Sequence, residues 1–168
     1  MAKLYKDTKT SDFPDLKFVI IGDGNLRTEL EAEAKALEID DLVMFTGNRD
    51  DTPTFYPGLD IIALTSRNEG TPLSLIEGMA NSRAVISTPV GGVVDLAGDL
   101  VNETTDYKIC QRAVLANGEN PEGFLNGLIA LAADPVLRQG MGSRGVRFVK
   151  DTYSKDALVS NIRNLYQE

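Results

Sequence analysis

Leu59-Asp60-Ile61-Ile62-Ala63-Leu64-Thr65-Ser66 runs straight into Arg67-Asn68-Glu69-Gly70-Thr71-Pro72-Leu73-Ser74-Leu75-Ile76-Glu77-Gly78-Met79-Ala80. The first stretch is an apolar run of strand length, as expected of a buried strand. In the second, Thr71 suits a helix N-cap. Pro72 suits the first helical turn, where its missing N–H costs nothing. Strand, short loop, helix is therefore the local prediction. Glu69 falls in the loop at the strand's C-terminal end, and Glu77 falls about a turn and a half into the helix. In an open α/β sheet this edge is where ligands bind.

The same alternation extends outward. Leu16 to Gly22 reads as a buried strand, Leu26 to Leu37 as a helix with Leu26, Leu30, Ala34 and Leu37 on one face, and Leu42 to Phe45 as a second strand. A short helix is expected over 52–56. After the Glu69/Glu77 segment, 84–87 reads as another strand, followed by Thr88-Pro89-Val90-Gly91-Gly92. Strand and helix thus alternate along the chain, which predicts an α/β fold with a parallel sheet flanked by helices. Beyond Gly92 the pattern weakens; 106–109 is expected as a last edge strand. From Pro121 onward the prediction is wholly helical, over 121–133, 135–150 and 154–166, with Asp134-Pro135 as a cap-plus-proline start. Residues 1–15 read as a helix remnant and polar loop, either the tail of missing preceding elements or a loose terminus. Residues 16–168 read as the domain proper.

Composition narrows the chemistry. A net charge of −8 argues against a nucleic-acid partner, because phosphate neutralisation needs an excess of Lys and Arg. There is no histidine, and Cys110 is the single cysteine. A zinc site of the usual ligands, a histidine base and a Ser-His-Asp triad are thereby excluded, and a reducing compartment, the cytoplasm, is the expected location. Chemistry must rest on carboxylates, Lys or Arg, hydroxyls and backbone amides.

Four loops carry candidate binding groups. Gly22-Asp23-Gly24 lies between a strand and a helix, where glycines let a ligand approach the backbone and a helix N-terminus favours an anion; a plain tight turn explains it equally well. The dinucleotide fingerprint needs a third glycine where Arg27 stands, so a nicotinamide cofactor is not expected. Arg49, in the loop after the second strand, is either a group for a base or phosphate or a solvated surface residue. Gly91-Gly92 either offers amides to a ligand or forms a plain turn. Ser66, Gly70, Thr71, Leu73 and Ser74 surround Glu69. The leading amides of the helix suit a phosphate, and carboxylates suit vicinal hydroxyls. Gly78 sits mid-helix at a cost of roughly 1 kcal/mol, which calls for a packing reason.

Taken together, Phe18–Gly24, Val43–Asp51 and Asp60–Gly92 resemble the C-terminal, donor-binding domain of GT-B glycosyltransferases of family GT4. The resemblance covers nearly the whole chain from Leu16. Its most specific part is the order strand, S-x-x-E-G-x-P, then a second glutamate after seven intervening residues, with T-x-V-G-G beyond. The resemblance implies a Rossmann-like half of a GT-B fold and retaining, metal-independent transfer of a sugar from a nucleotide-diphosphate sugar, UDP-linked, to an acceptor hydroxyl on a glycan or lipid-linked glycan. It implies no cofactor, the nucleotide sugar being the substrate. It further implies that Glu69 is the catalytic position, bonding the donor sugar's hydroxyls, and that Glu77 holds the ribose. Amides of Thr71, Leu73 and Ser74 would meet the diphosphate, Gly22 and Gly24 would lie near the donor, and Arg49 near the base. Polysaccharide or glycolipid biosynthesis is the family's commonest setting, and many relatives work at the inner membrane face.

The chain departs from the family pattern. No acceptor domain precedes it, nothing before Leu16 matches the Arg/Lys strand that neutralises the diphosphate, Asn81-Ser82 replaces a small residue and glycine, and 103–120 lacks the usual glycine-rich loop. These departures predict a partial domain that does not turn over alone. They keep two alternatives in view: a non-catalytic sugar-nucleotide-binding or assembly module, and another GT-B enzyme such as a sugar-nucleotide epimerase.

Overall fold

The computed structural model describes residues 1–118 and 120–166. Glu119, inside the 103–120 segment, and Gln167 and Glu168, at the end of the expected domain, lie outside the described residues. The chain divides into two units, Met1–Thr52 and Pro53–Glu168.

The first unit holds α1 (Ala2–Thr8), β1 (Phe18–Ile21), α2 (Arg27–Ala36) and β2 (Val43–Gly47). β1 and β2 pair in parallel, with Phe18 opposite Val43 and Val19 opposite Met44. Tyr5 is fully buried here. Its hydroxyl donates to the Pro14 carbonyl at 2.6 Å and accepts from the Leu16 amide at 3.1 Å, fastening the segment before β1. α2 stops because Glu38 adopts φ 54°, a left-handed conformation that ends a helix.

The second unit is entered through α3 (Thr52–Phe55), which begins at the division, and a 3-10 turn over Tyr56–Gly58. Then follow β3 (Ile61–Leu64), α4 (Leu73–Ala80), β4 (Ala84–Ser87), α5 (Val93–Ala97), β5 (Leu100–Glu103), β6 (Tyr107–Cys110), β7 (Val114–Ala116), α6 (Pro121–Ala133), α7 (Pro135–Tyr153) and α8 (Lys155–Leu165). The sheet order is β3-β4-β7-β6-β5. β3, β4 and β7 run parallel, whereas β6 pairs antiparallel with both of its neighbours.

This corrects part of the sequence reading. The strands belong to two sheets, and the larger one is mixed. The strand expected at the edge over 106–109 is β6, an interior strand. The edge is β5, whose residues are all exposed, so no apolar alternation marks it. β7 is buried but only three residues long, too short for periodicity to register. The α/β class itself stands, as do the three closing helices. Asp134 caps α7 by accepting from the Leu137 amide at 2.8 Å, and Asn120 caps α6 by accepting from Gly123 at 3.0 Å.

β4 is buried on both faces. Val85 packs in the cluster that includes Leu75 and Met79 of α4. Ile86, the next residue and so on the opposite face, lies under α6, where a Cβ on Gly127 would come within 3.1 Å of its Cδ1. α4 therefore covers one face and α6 the other. α4 sits close because Gly78 has no side chain: a Cβ there would fall 2.7 Å from Ile62 Cγ1 on β3. No described helix is long and apolar enough to cross a membrane.

Gly78→Ala is the direct test of this packing. Alanine gains about 1 kcal/mol in helix propensity, but overpacking costs ~1–3 kcal/mol. We expect a net loss of up to about 2 kcal/mol by urea unfolding, and in an Ile62→Ala background, itself destabilised, the same alanine should cause no further loss. A stabilised single variant would contradict the close seating of α4.

Candidate functional site

The site residues of the second unit gather where β3 and β4 end. Pro72, not Thr71, occupies the N-cap of α4. Its backbone is extended (φ −72°, ψ 106°), and its carbonyl accepts the amides of Leu75 at 3.2 Å and Ile76 at 3.3 Å. Thr71, expected at this position, lies one residue earlier and is exposed. No side chain caps the helix. The amides of Leu73 and Ser74 lie ahead of any acceptor in the helix itself, as first-turn amides must.

Glu69 is half-buried in the β3–α4 loop, and among the described residues its carboxylate has no hydrogen-bond or ion-pair partner. The backbone that carries it is tightly held. Thr88, nearly fully buried at the end of β4, donates its hydroxyl to the Ser66 carbonyl at 2.5 Å and its amide to the Leu64 carbonyl at 3.2 Å. The Gly92 amide donates to the Gly70 carbonyl at 2.9 Å. Gly91 adopts φ 50°, and a Cβ on it would lie 1.7 Å from the Glu69 carbonyl oxygen; one on Gly92 would lie 2.4 Å from the Gly70 oxygen. Gly91 and Gly92 thus allow the two loops to touch. The Gly92 amide is spent on Gly70, which removes it from the amides expected to face a ligand.

Glu77, half-buried on α4, does have a partner. The Tyr56 hydroxyl lies 3.0 Å from Glu77 Oε2 and 3.2 Å from the Ser74 carbonyl. Tyr56 is 5% exposed. Burial first, and the neighbouring Glu77 charge second, push its phenol far above the ordinary range, so it stays protonated and donates. Sequence reading missed Tyr56: the contact spans 21 residues, and the only local signal was an aromatic at the close of a short helix.

Gly22, Gly24 and Arg49 belong to the first unit. Gly22 (φ 137°) donates to the Gly47 carbonyl at 2.9 Å, and Gly24 donates to the Asp23 carboxylate at 2.8 Å; beyond both glycines the Cβ direction is open. The exposed Arg49 is gripped by Asp51 through two parallel contacts, the Nε one at 2.6 Å. Cys110 is buried, and that burial raises its thiol pKa despite nearby Lys108 and Arg112, so it is poorly disposed to act as a nucleophile.

The second unit is a mixed α/β sheet with helices on both faces, and its glutamate-bearing loop and uncapped helix stand at the strand ends, the edge where open α/β sheets bind ligands. Comparison with known proteins narrows this. The chain matches the family described as glycosyl transferases group 1 over residues 1–148 and belongs to it. It is 27% identical to N-acetyl-alpha-D-glucosaminyl L-malate synthase of Bacillus anthracis over 154 residues, 92% of this chain and 38% of that protein. It also resembles the C-terminal domain of the group 1 glycosyltransferase LpcC from Francisella tularensis (TM-score 0.70, 25% identity, covering 92% of this chain and 76% of that one). HepE from Anabaena, solved in complex with UDP, shares the fold (TM-score 0.76, 18% identity, covering 90% and 41%). The chain spans about two-fifths of the length of the curated relatives it matches, 41% and 38% for two of them. The fold is that of a GT-B glycosyltransferase C-terminal domain.

Gly91→Ala tests the contact between the loops. Alanine at φ 50° with its Cβ on the Glu69 carbonyl should cost ~1–3 kcal/mol and displace the loop. Hydrogen exchange should speed at Gly92 and around Glu69–Gly70, whereas Gly58→Ala, whose Cβ meets open space, should leave these amides unchanged. Equal exchange in both variants would show that the loops do not depend on each other.

Proposed function

We propose that this chain is the donor-binding domain of a retaining, metal-independent glycosyltransferase that moves a sugar from a nucleotide-diphosphate sugar, UDP-linked, to an acceptor hydroxyl of a glycan or lipid-linked glycan. One observation carries the reading. An unpartnered carboxylate, Glu69, and an oriented one, Glu77, lie on the loop and helix on either side of an uncapped helix N-terminus, all in the second unit. Family membership supports it, as do structural neighbours solved with UDP.

The parts divide the donor between them. Glu69 accepts hydrogen bonds from hydroxyls of the donor sugar. Glu77 accepts from the ribose. The leading amides of α4, at Leu73 and Ser74, face the diphosphate, where the partial positive charge of a helix N-terminus favours an anion. As the glycosidic bond breaks, positive charge builds on the sugar ring and negative charge on the departing diphosphate. Fixed amides aimed at the leaving group stabilise that charge, and a carboxylate near the ring is compatible with the oxocarbenium-like sugar. Both glutamates act as binding groups for hydroxyls, and neither is needed as a proton shuttle. The reading rests on the second unit alone, so donor binding is the part of the reaction to assay.

Calorimetric titration with UDP, GDP and ADP should show a preference for UDP. Glu77→Ala should weaken UDP about tenfold, the loss of roughly one hydrogen bond to a charged group. Glu69→Ala should weaken UDP-sugars while leaving UDP unchanged. A folded chain that binds none of these nucleotides would sink the proposal.

A further inference from the structure

The structure assigns a positioning role to Tyr56: its buried hydroxyl holds Glu77 Oε2 so that the other carboxylate oxygen is presented to the ribose of a nucleoside diphosphate. The inference rests on the proposed ribose-binding role of Glu77.

A glutamate on a helix has several side-chain torsions, and an exposed one samples many rotamers. Glu77 is restrained on one side only. Tyr56 approaches from the 3-10 turn before β3, and its ring belongs to the same buried cluster as Leu75, Ile76 and Met79 of α4. Phe55 stacks beside it with ring centroids 4.5 Å apart. The phenol therefore cannot swing away without opening the core. Its single proton faces Glu77 Oε2 at 3.0 Å, the shorter contact, with the Ser74 carbonyl at 3.2 Å as the alternative acceptor on the same helix. Among the described residues no other donor reaches the Glu77 carboxylate, so Oε1 keeps its acceptor capacity while Oε2 is occupied. A carboxylate with one oxygen fixed by a neutral donor enters binding with its orientation already set. A lysine or arginine partner would also orient it, but would compete for both oxygens and offset the charge.

The test compares UDP with 2′-deoxy-UDP on the full chain, titrated into wild type, Tyr56→Phe, Glu77→Ala and the double variant, with thermal unfolding recorded for each. Tyr56→Phe should weaken UDP about fivefold and 2′-deoxy-UDP much less, because the lost orientation acts on the diol. In the Glu77→Ala background it should cause no further loss. If Tyr56→Phe binds UDP like wild type while Glu77→Ala weakens it, the positioning role is overturned and the ribose role survives. Equal weakening of both nucleotides by Tyr56→Phe would mark a general structural role and likewise overturn it. Wild type binding no UDP, or Glu77→Ala binding unchanged, overturns the ribose role and this inference together. Should the phenylalanine variant melt below the titration temperature, the 13Cζ resonance of Tyr56 decides: the same resonance in wild type and Glu77→Ala shows no hold on the carboxylate and overturns the inference, and a distinct shift between them supports it.

Discussion

The close approach of α4 to β3, made possible by the missing side chain of Gly78 over Ile62, is the constraint on which the second unit's ligand edge depends. Eight residues are a short helix, with little stability of its own. It is held by burial of Leu75, Ile76, Gly78 and Met79 against the sheet and α7. On the α7 side a glycine again sets the distance, since a Cβ on Gly145 would come within 3.2 Å of Met79. Once that seat is fixed, Pro72 must lie at the end of the sheet, the first amides must point beyond it, and Glu77 must stand beside the buried row. A helix raised by one methyl group would shift all three, because interiors packed at crystal density transmit small displacements.

The loop before α4 is positioned by a different device. It has no regular structure, yet Glu69 lies on it, and loops at sheet edges are ordinarily the least fixed parts of an α/β domain. Here the turn after β4 serves as its template. Thr88 grips Ser66, Gly92 grips Gly70, and Gly91 stands aside for the Glu69 carbonyl. These ties use backbone atoms and buried groups, and among the described residues none engages the Glu69 carboxylate. The consequence is a side chain fixed at its Cα with its carboxylate open to solvent.

Much of this was legible in the sequence. The β3–loop–α4 segment, the cap of α7 and the need for a packing reason at Gly78 follow from periodicity and local chemistry, which act within a few residues. What escaped was non-local or unpatterned. Tyr56 reaches Glu77 across 21 residues, and no spacing rule joins a 3-10 turn to the middle of a later helix. β5 carries no buried face, and β7 is too brief to show a period. Thr71 looked like a cap because threonine so often is one. Pro72 took the place because its extended backbone puts its own carbonyl at the head of the first turn. Gly91-Gly92 drew notice as a possible ligand turn, but the structure gives the pair another reason: it is needed for backbone-to-backbone contact, and the Gly92 amide is spent on Gly70.

The two glutamates are therefore unequal, and the inequality bears on chemistry. A general acid and base pair works when two environments push two pKa values apart around a reacting atom. The geometry here serves a different task. Glu77 accepts from a neutral phenol that burial keeps protonated, an arrangement that fixes geometry without supplying a proton at neutral pH. Among the described residues Glu69 has no hydrogen-bond partner able to take or give one. With no histidine in the chain and the Cys110 thiol buried, the second unit's side chains at this edge are suited to hold hydroxyls, and the helix amides to meet negative charge. In the proposed function, an edge of this kind would stabilise a departing diphosphate and orient a sugar. It would do so by preorganised dipoles and acceptors, which cost no rearrangement at the moment the bond breaks.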